Sequence, residues 1–247
     1  MLPLRDNIPT SRFPAVTVAL IGINVAVWLL YQLPNLDGSI IDSAFFPCSV
    51  QGCGFIDTAN GNPPGPPWPV DVFTSMFMHG SWLHIAGNML FLWIFGNNVE
   101  DRLGRATFVV FYLLGGLAAT ALQSWITLQF GDVRDGIVPT VGASGAIAGV
   151  LGGYLILYPR ARVLTLLFMF VPVEIPALFF LGGWFVFQLW QGGFDLLAPT
   201  GGGEGGVAFF AHVGGFLFGM LTIRVFAARP GRRGRRRPEP AWPRSKR

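Results

Sequence analysis

Charged side chains are scarce in this chain, at 12% of its 247 residues, about half the usual share of a soluble domain. Histidine occurs three times, cysteine twice and lysine once. Cys48 and Cys53 have no third cysteine and no histidine near them in sequence, which argues against a metal centre there. No metal and no other cofactor is expected. Internal repeats are absent, and no small-residue cleavage site follows the first apolar run, so that run is read as a retained helix rather than a removed signal peptide.

What the chain has in quantity is apolar surface. Hydrophobic residues make up 52% of it and the mean hydropathy is +0.52. A bilayer core of about 30 Å takes roughly 20 apolar residues per helix. The long apolar stretches read as spans at Pro14–Leu33, Leu83–Val99, Ala106–Phe130, Ser144–Tyr158, Ile175–Gln191 and Val207–Ala227. Lipid offers no partner to unpaired backbone groups, so the expected fold class is all-α, a polytopic membrane bundle of six transmembrane helices. Residues 1–13 precede it, 14–228 form the membrane domain, and 229–247 form a basic tail expected to be disordered.

Basic residues mark cytoplasmic segments. Arg5 and Arg12 precede the first span, Arg102 and Arg105 fall in one short turn, Arg160 and Arg162 in another, and Arg224 begins a run of ten basic residues to the end of the chain. Only Arg134 lies in any other loop. The pattern puts both termini inside. The positive charge is thus a topology signal and not a sign of nucleic acid, and anionic lipid is the expected contact of the tail. Arginine outnumbers lysine 16 to 1, which suggests a GC-rich bacterial genome and hence a bacterial plasma (inner) membrane. Cys48 and Cys53 share the first outside loop, as a disulfide if that side is oxidising, otherwise as two thiols.

Polar groups at membrane depth are costly and tend to be functional. They cluster in "HGSWLHIAGNML" (His79–Leu90), "GASG" (Gly142–Gly145) and "AHVGGFLFG" (Ala211–Gly219), which hold all three histidines. The fourth span is 15 residues, about 22 Å at 1.5 Å per residue, too short for the core. Its N-terminus is therefore expected to be submerged, with Ser144 facing a wet pocket on the outer side. Free N–H groups at a helix start favour developing negative charge.

Ser144, Ala148 and Gly152 follow i, i+4, i+8, with Gly145, Gly149 and Gly153 beside them. On the sixth span His212, Gly215 and Gly219 share a face. Two smooth faces pack closely and would bring the Ser144 hydroxyl to the His212 imidazole, a nucleophile and general-base pair. No orienting carboxylate is apparent: Asp195 and Glu204 have no clear route to the ring, so the pair reads as a dyad. His84 and Asn88, at i and i+4, offer two donors suited to an acyl oxyanion. His79 either lines the same cavity or anchors the loop. Each group also has a plain reading: a packing serine, a histidine or asparagine bridging helices, or a polar transport path.

Taken together, "HGSWLHIAGN" with its H-x(4)-H-x(3)-N spacing, "GASG", "AHVGGFLFG" and the stretch "NNVEDRLGRATFVVFYLLGG" resemble the rhomboid intramembrane serine proteases, from about Pro14 to Ala227. The resemblance implies a rhomboid-like bundle with Ser144 as nucleophile and His212 as base. It implies an oxyanion hole of His84, Asn88 and the Ser144 N–H, with Gly142 and Gly145 shaping the serine turn. Gly215 and Gly219 would admit close contact between spans four and six. The implied substrates are single-span membrane proteins entering from the lipid, with span five and the glycine-rich loop after it as gate and cap.

Phe179, Phe180, Trp184, Phe185 and Phe187 would suit a lipid-facing flank of span five; ordinary bulky packing is the other reading. Ala148 departs from the many family members that carry a ring there against the imidazole. A Trp-Arg pair known in the first loop of some members is also missing. Two rival functions follow from other classes, a non-catalytic rhomboid-like binder and a channel or transporter. No H-E-x-x-H and no Gly-x-Gly-Asp occurs, which argues against membrane metalloproteases and aspartyl proteases.

Overall fold

A computed structural model describes residues 1–53, 68–131, 135–168, 170–197 and 208–227. The basic tail, Glu204 with the glycine run around it, Arg134 and the side chain of Asp195 lie outside the described residues. The helices in chain order are α1 (Ala15–Val27), α2 (Leu36–Ser43), α3 (Trp68–Thr74), α4 (Trp82–Phe91), α5 (Asn97–Leu103), α6 (Arg105–Phe130), α7 (Ser144–Leu157), α8 (Ala177–Leu197) and α9 (Phe209–Ala227). A wide π turn, Trp28–Gln32, prolongs α1, and another, Leu92–Gly96, joins α4 to α5 as one helical rod.

Three of these rods are long and apolar enough to cross a membrane: Ala15–Gln32, Arg105–Phe130 and Phe209–Ala227. The helix at Ser144–Leu157 is shorter. It occupies the centre of the bundle, and every residue from Gly145 to Leu155 is buried. A helix apolar on all sides must be enclosed by protein or lipid; here α6 and α9 flank it. Glycine allows this crowding. A methyl at Gly152 would fall on the Phe216 carbonyl oxygen, and one at Gly149 would stand 3.3 Å from the Gly115 α-carbon. The contacting face of α7 takes in Gly145, Gly149, Gly152 and Gly153, all within the wide small-residue face expected of this helix.

The all-α expectation needs a correction. Strands β1 (Leu2–Asp6), β2 (Arg162–Leu167) and β3 (Val171–Pro176) form an antiparallel sheet in the order β1-β2-β3. Leu2 pairs with Leu166 and Asp6 with Val163; Arg162 pairs with Pro176 and Leu167 with Val171. The supposed short turn at Arg160 and Arg162 is thus a folded hairpin. Val163 and Thr165 alternate inward, both fully buried, the period-2 signature of a strand. Pro172 and Pro176 lack N–H donors and are tolerated on the edge strand β3. Span five consequently starts at Ala177, not Ile175, and its helix runs on to Leu197.

Two carboxylates, buried Glu100 and half-buried Asp6, tie the N-terminus to the rod below it. Glu100 accepts from the Val16 and Thr17 N–H groups at 3.0 and 2.8 Å and from the Thr17 hydroxyl at 2.8 Å, satisfying the orphan donors at the start of α1. Asp6 accepts from Asn98 Nδ2 at 2.7 Å and from the Tyr154 hydroxyl. Cys48 and Cys53 are joined as a disulfide.

Candidate active site

Ser144 is the first residue of α7. The chain reaches it through Gly142, whose φ of +129° suits only glycine. The Gly142 N–H donates to the Ser75 carbonyl at 2.9 Å, and Thr140 exchanges hydrogen bonds with Phe45 at 2.7 and 3.1 Å. The serine turn is thereby held by the first loop. Ala143, before the serine, supplies no side-chain cap, so the first-turn N–H groups of α7 have no intrahelical partner.

His212 lies in the first turn of α9, 9% exposed, and its Nε2 stands 2.8 Å from Ser144 Oγ. Its Nδ1 is 2.7 Å from Gln188 Oε1 on α8. A carbonyl oxygen only accepts, so Nδ1 carries the proton and Nε2 is the lone-pair nitrogen toward the serine hydroxyl. The close approach of α7 and α9 brings the two groups together. A methyl at Gly215 would overlap the Gly145 carbonyl, and one at Gly219 the Gly149 carbonyl. A methyl at Gly145 would stand 2.6 Å from the Ala119 side chain of α6.

His84 approaches the serine turn from α4. Ser81 caps that helix by accepting the His84 N–H at 3.1 Å, and the Gly80 N–H donates to His84 Nδ1 at 3.3 Å. The ring proton accordingly sits on Nε2. A β-carbon at Gly142 would stand 2.8 Å from that Nε2 and 3.5 Å from Ser144 Oγ, so Gly142 fills the space between the two groups. Asn88, one turn along on the same face, is buried, and its Nδ2 has no hydrogen-bond partner among the described residues. A cavity of about 20 Å³ lies beside the serine, lined by Ser75, Thr120, Thr140, Gly142 and Ser144. That is room for about one water molecule. A wider cleft of about 440 Å³ lies under the sheet between Asp6 and Glu174, away from the serine.

His79 neither reaches the serine nor sits at an interface. It is fully buried with its ring edge-on to His84, centroids 5.1 Å apart, while Gln32 bonds its backbone N–H and C=O, both at 2.8 Å. It is a wall behind His84.

Two contacts of His212 were not anticipated. One is Gln188. The other is Trp184, whose ring lies 5.7 Å from the imidazole at 38°. The ring missing at Ala148 is thus supplied from a different helix. Both residues sit on α8 at i and i+4. A glutamine amid the aromatics of span five is itself a polar group at membrane depth, and that signal could have found it. The flank of span five is also only partly lipid-facing: Phe179 and Phe187 are exposed, whereas Phe180 is buried and Phe185 stacks on Phe216 at 4.6 Å.

Comparison with known proteins agrees with the motifs. The rhomboid domain model matches residues 67–229. The chain is 30% identical over 215 residues to Rhomboid protein 1, mitochondrial, of Saccharomyces cerevisiae, covering 82% of this chain and 51% of that protein. It is 30% identical over 209 residues to the human presenilin-associated rhomboid-like protein, mitochondrial, covering 83% and 46%. A shorter stretch of 77 residues is 39% identical to Rhomboid-like protein 11, chloroplastic, of Arabidopsis thaliana, covering 31% of this chain and 25% of that protein. The chain spans about half the length of the mitochondrial relatives. With two thirds of its residues inside the matched domain and apolar helices built to cross a bilayer, the chain is an integral membrane protein and belongs to the rhomboid family.

Proposed function

We propose that the protein is an intramembrane serine endopeptidase that cleaves single-span membrane proteins with a Ser144–His212 dyad and no metal or cofactor. The observation that carries this reading is the 2.8 Å hydrogen bond between His212 Nε2 and Ser144 Oγ at the starts of two abutting helices. Ser144 Oγ attacks the scissile carbonyl as His212 Nε2 takes its proton. The carbonyl oxygen, now an anion, is received by His84 Nε2–H, Asn88 Nδ2–H and the Ser144 N–H. His212 then protonates the leaving amine, and the C–N bond breaks to leave an acyl-serine. Water, deprotonated by the same nitrogen, releases the acid and restores the hydroxyl. The unpartnered Nδ2 of Asn88 and the Nε2-protonated tautomer of His84 support their roles as donors.

In this reading the bundle crosses the membrane six times with both termini in the cytoplasm, and the site opens to the outer side. The charge distribution supports that orientation. A bacterial plasma membrane is proposed from the arginine bias, while the relatives named above are mitochondrial. The basic tail would meet anionic headgroups.

The test compares purified, bilayer-reconstituted wild type with Ser144→Ala and His212→Ala on a panel of single-span substrates. Cleavage by wild type alone is expected. If wild type cuts nothing that the variants spare, the reading fails.

A further inference from the structure

The imidazole of a serine-histidine pair must keep Nε2 free of a proton and aimed at the hydroxyl. Nothing in an isolated dyad enforces this, because a neutral imidazole exchanges readily between its two tautomers. His212 has a fixed partner on its far side. Gln188 Oε1, on a residue 6% exposed, lies 2.7 Å from Nδ1. We propose that Gln188 is the positioning residue of His212, occupying the place a carboxylate holds in a triad. This rests on the dyad reading of the site.

The amide oxygen accepts the Nδ1–H in the resting state, which pins the tautomer that can take the Ser144 proton. When Nε2 receives that proton the ring becomes a cation, and the Nδ1–H···O bond becomes charge-assisted and stronger. The bond is thus worth more in the transition state than before it, the condition for raising kcat and not merely substrate binding. A neutral amide does this without placing an unpaired anion in the bundle when the ring is neutral, a serious cost at membrane depth. Gln188 moves no proton: Nδ1–H stays on the ring throughout. Trp184, one turn away on the same helix, covers the ring face, so α8 supplies both contacts that orient the imidazole.

The deciding variants are Gln188→Leu, of similar size with no acceptor, and Gln188→Glu, which keeps an acceptor at the same chain length. Removing the acceptor should lower kcat about 10- to 100-fold, the effect of one charge-assisted hydrogen bond. KM should stay within about threefold, and Gln188→Glu should retain more kcat than Gln188→Leu. Unfolding midpoints in detergent establish that each variant is folded.

A second measurement needs no variant. Histidine-selective ¹⁵N spectra of the wild type should show His212 with a protonated Nδ1 and a bare Nε2, and Gln188→Leu should lose that preference. Wild-type His212 without a proton on Nδ1 overturns the inference, as does full kcat in folded Gln188→Leu. So does Gln188→Glu losing as much as Gln188→Leu. Labelling of Ser144 by a fluorophosphonate separates the two ideas. If wild type is neither labelled nor active, the protease reading falls, whereas the ¹⁵N spectra still judge the Gln188 contact.

Discussion

Gly215 and Gly145 meet backbone to backbone: a side-chain carbon on Gly215 would overlap the Gly145 carbonyl oxygen. Gly219 repeats the contact with Gly149 one turn below. Ser144 precedes the first of these pairs by one residue and His212 by three. The 2.8 Å separation of their side chains therefore follows from how closely α7 and α9 can approach.

Alanine at Gly215 or Gly219 forces the two helices apart. Overpacking of a tight interior costs about 1–3 kcal/mol, and a displacement of even 1 Å at the dyad would cost about 10²-fold in rate. Both variants should show a lower unfolding midpoint in detergent and little fluorophosphonate labelling of Ser144. Gly183→Ala on α8, where nothing beyond its chain neighbours and the helix's own backbone lies within 4 Å of the added carbon, is the control and should match wild type in both.

His84 and Asn88 are expected to act on the developing anion rather than on the bound peptide. Replacing either by alanine should reduce kcat about 10²- to 10³-fold, the loss seen when one oxyanion donor is removed, with KM changed far less. Steady-state kinetics in proteoliposomes separate the two parameters. Full kcat in Asn88→Ala would remove that residue from the site.

Trp184 covers the His212 ring and also touches Phe216, centroids 5.9 Å apart. Trp184→Phe keeps an aromatic surface and should hold most of the activity. Trp184→Ala opens a gap beside the imidazole and should lower kcat by about tenfold, given that aromatic pairs contribute about 0.5–1.5 kcal/mol beyond area. Equal kcat for the two variants would mean the ring contact does not serve the dyad.

Much of this was legible in the chain because hydropathy and glycine spacing are local signals. The apolar rods and the small surfaces around Ser144 and His212 follow from them directly. Which neighbour each glycine of α7 meets did not, since that depends on the whole bundle: Gly149 faces both Gly115 of α6 and Gly215 of α9. The sheet was missed for a related reason. β2 and β3 sit between arginines and a long apolar run, so Ile175 reads as the start of a span, and Pro176 is no bar to that reading because proline is tolerated in a helix's first turn. Gln188 carries no charge, so it does not stand out where a carboxylate is the expected orienting group. Ala148 brings no ring to the imidazole, and the one that packs there belongs to Trp184 on another helix.

The last prediction concerns stability rather than catalysis. Asp6 of β1 accepts from Asn98 and Tyr154, pinning the N-terminal strand to the rod formed by α4 and α5 and to the end of α7. Burial raises its pKa above the ordinary 3.8, and the hydrogen bond from Tyr154 offsets part of that rise. A carboxyl whose folded pKa is raised favours the folded state when protonated. Its contribution is full below pH 3.8 and is lost as pH rises through the higher folded value. Asp6→Asn keeps an oxygen that can accept both bonds and removes the titration. Thermal unfolding in detergent at about pH 3, below the ordinary 3.8, and at about pH 7 should show wild type losing stability toward neutral pH relative to Asp6→Asn. Asp6→Ala should be destabilised at both, because it leaves the two donors unpaired. If wild type and Asp6→Asn show the same dependence on pH, the carboxyl does not titrate where its burial places it.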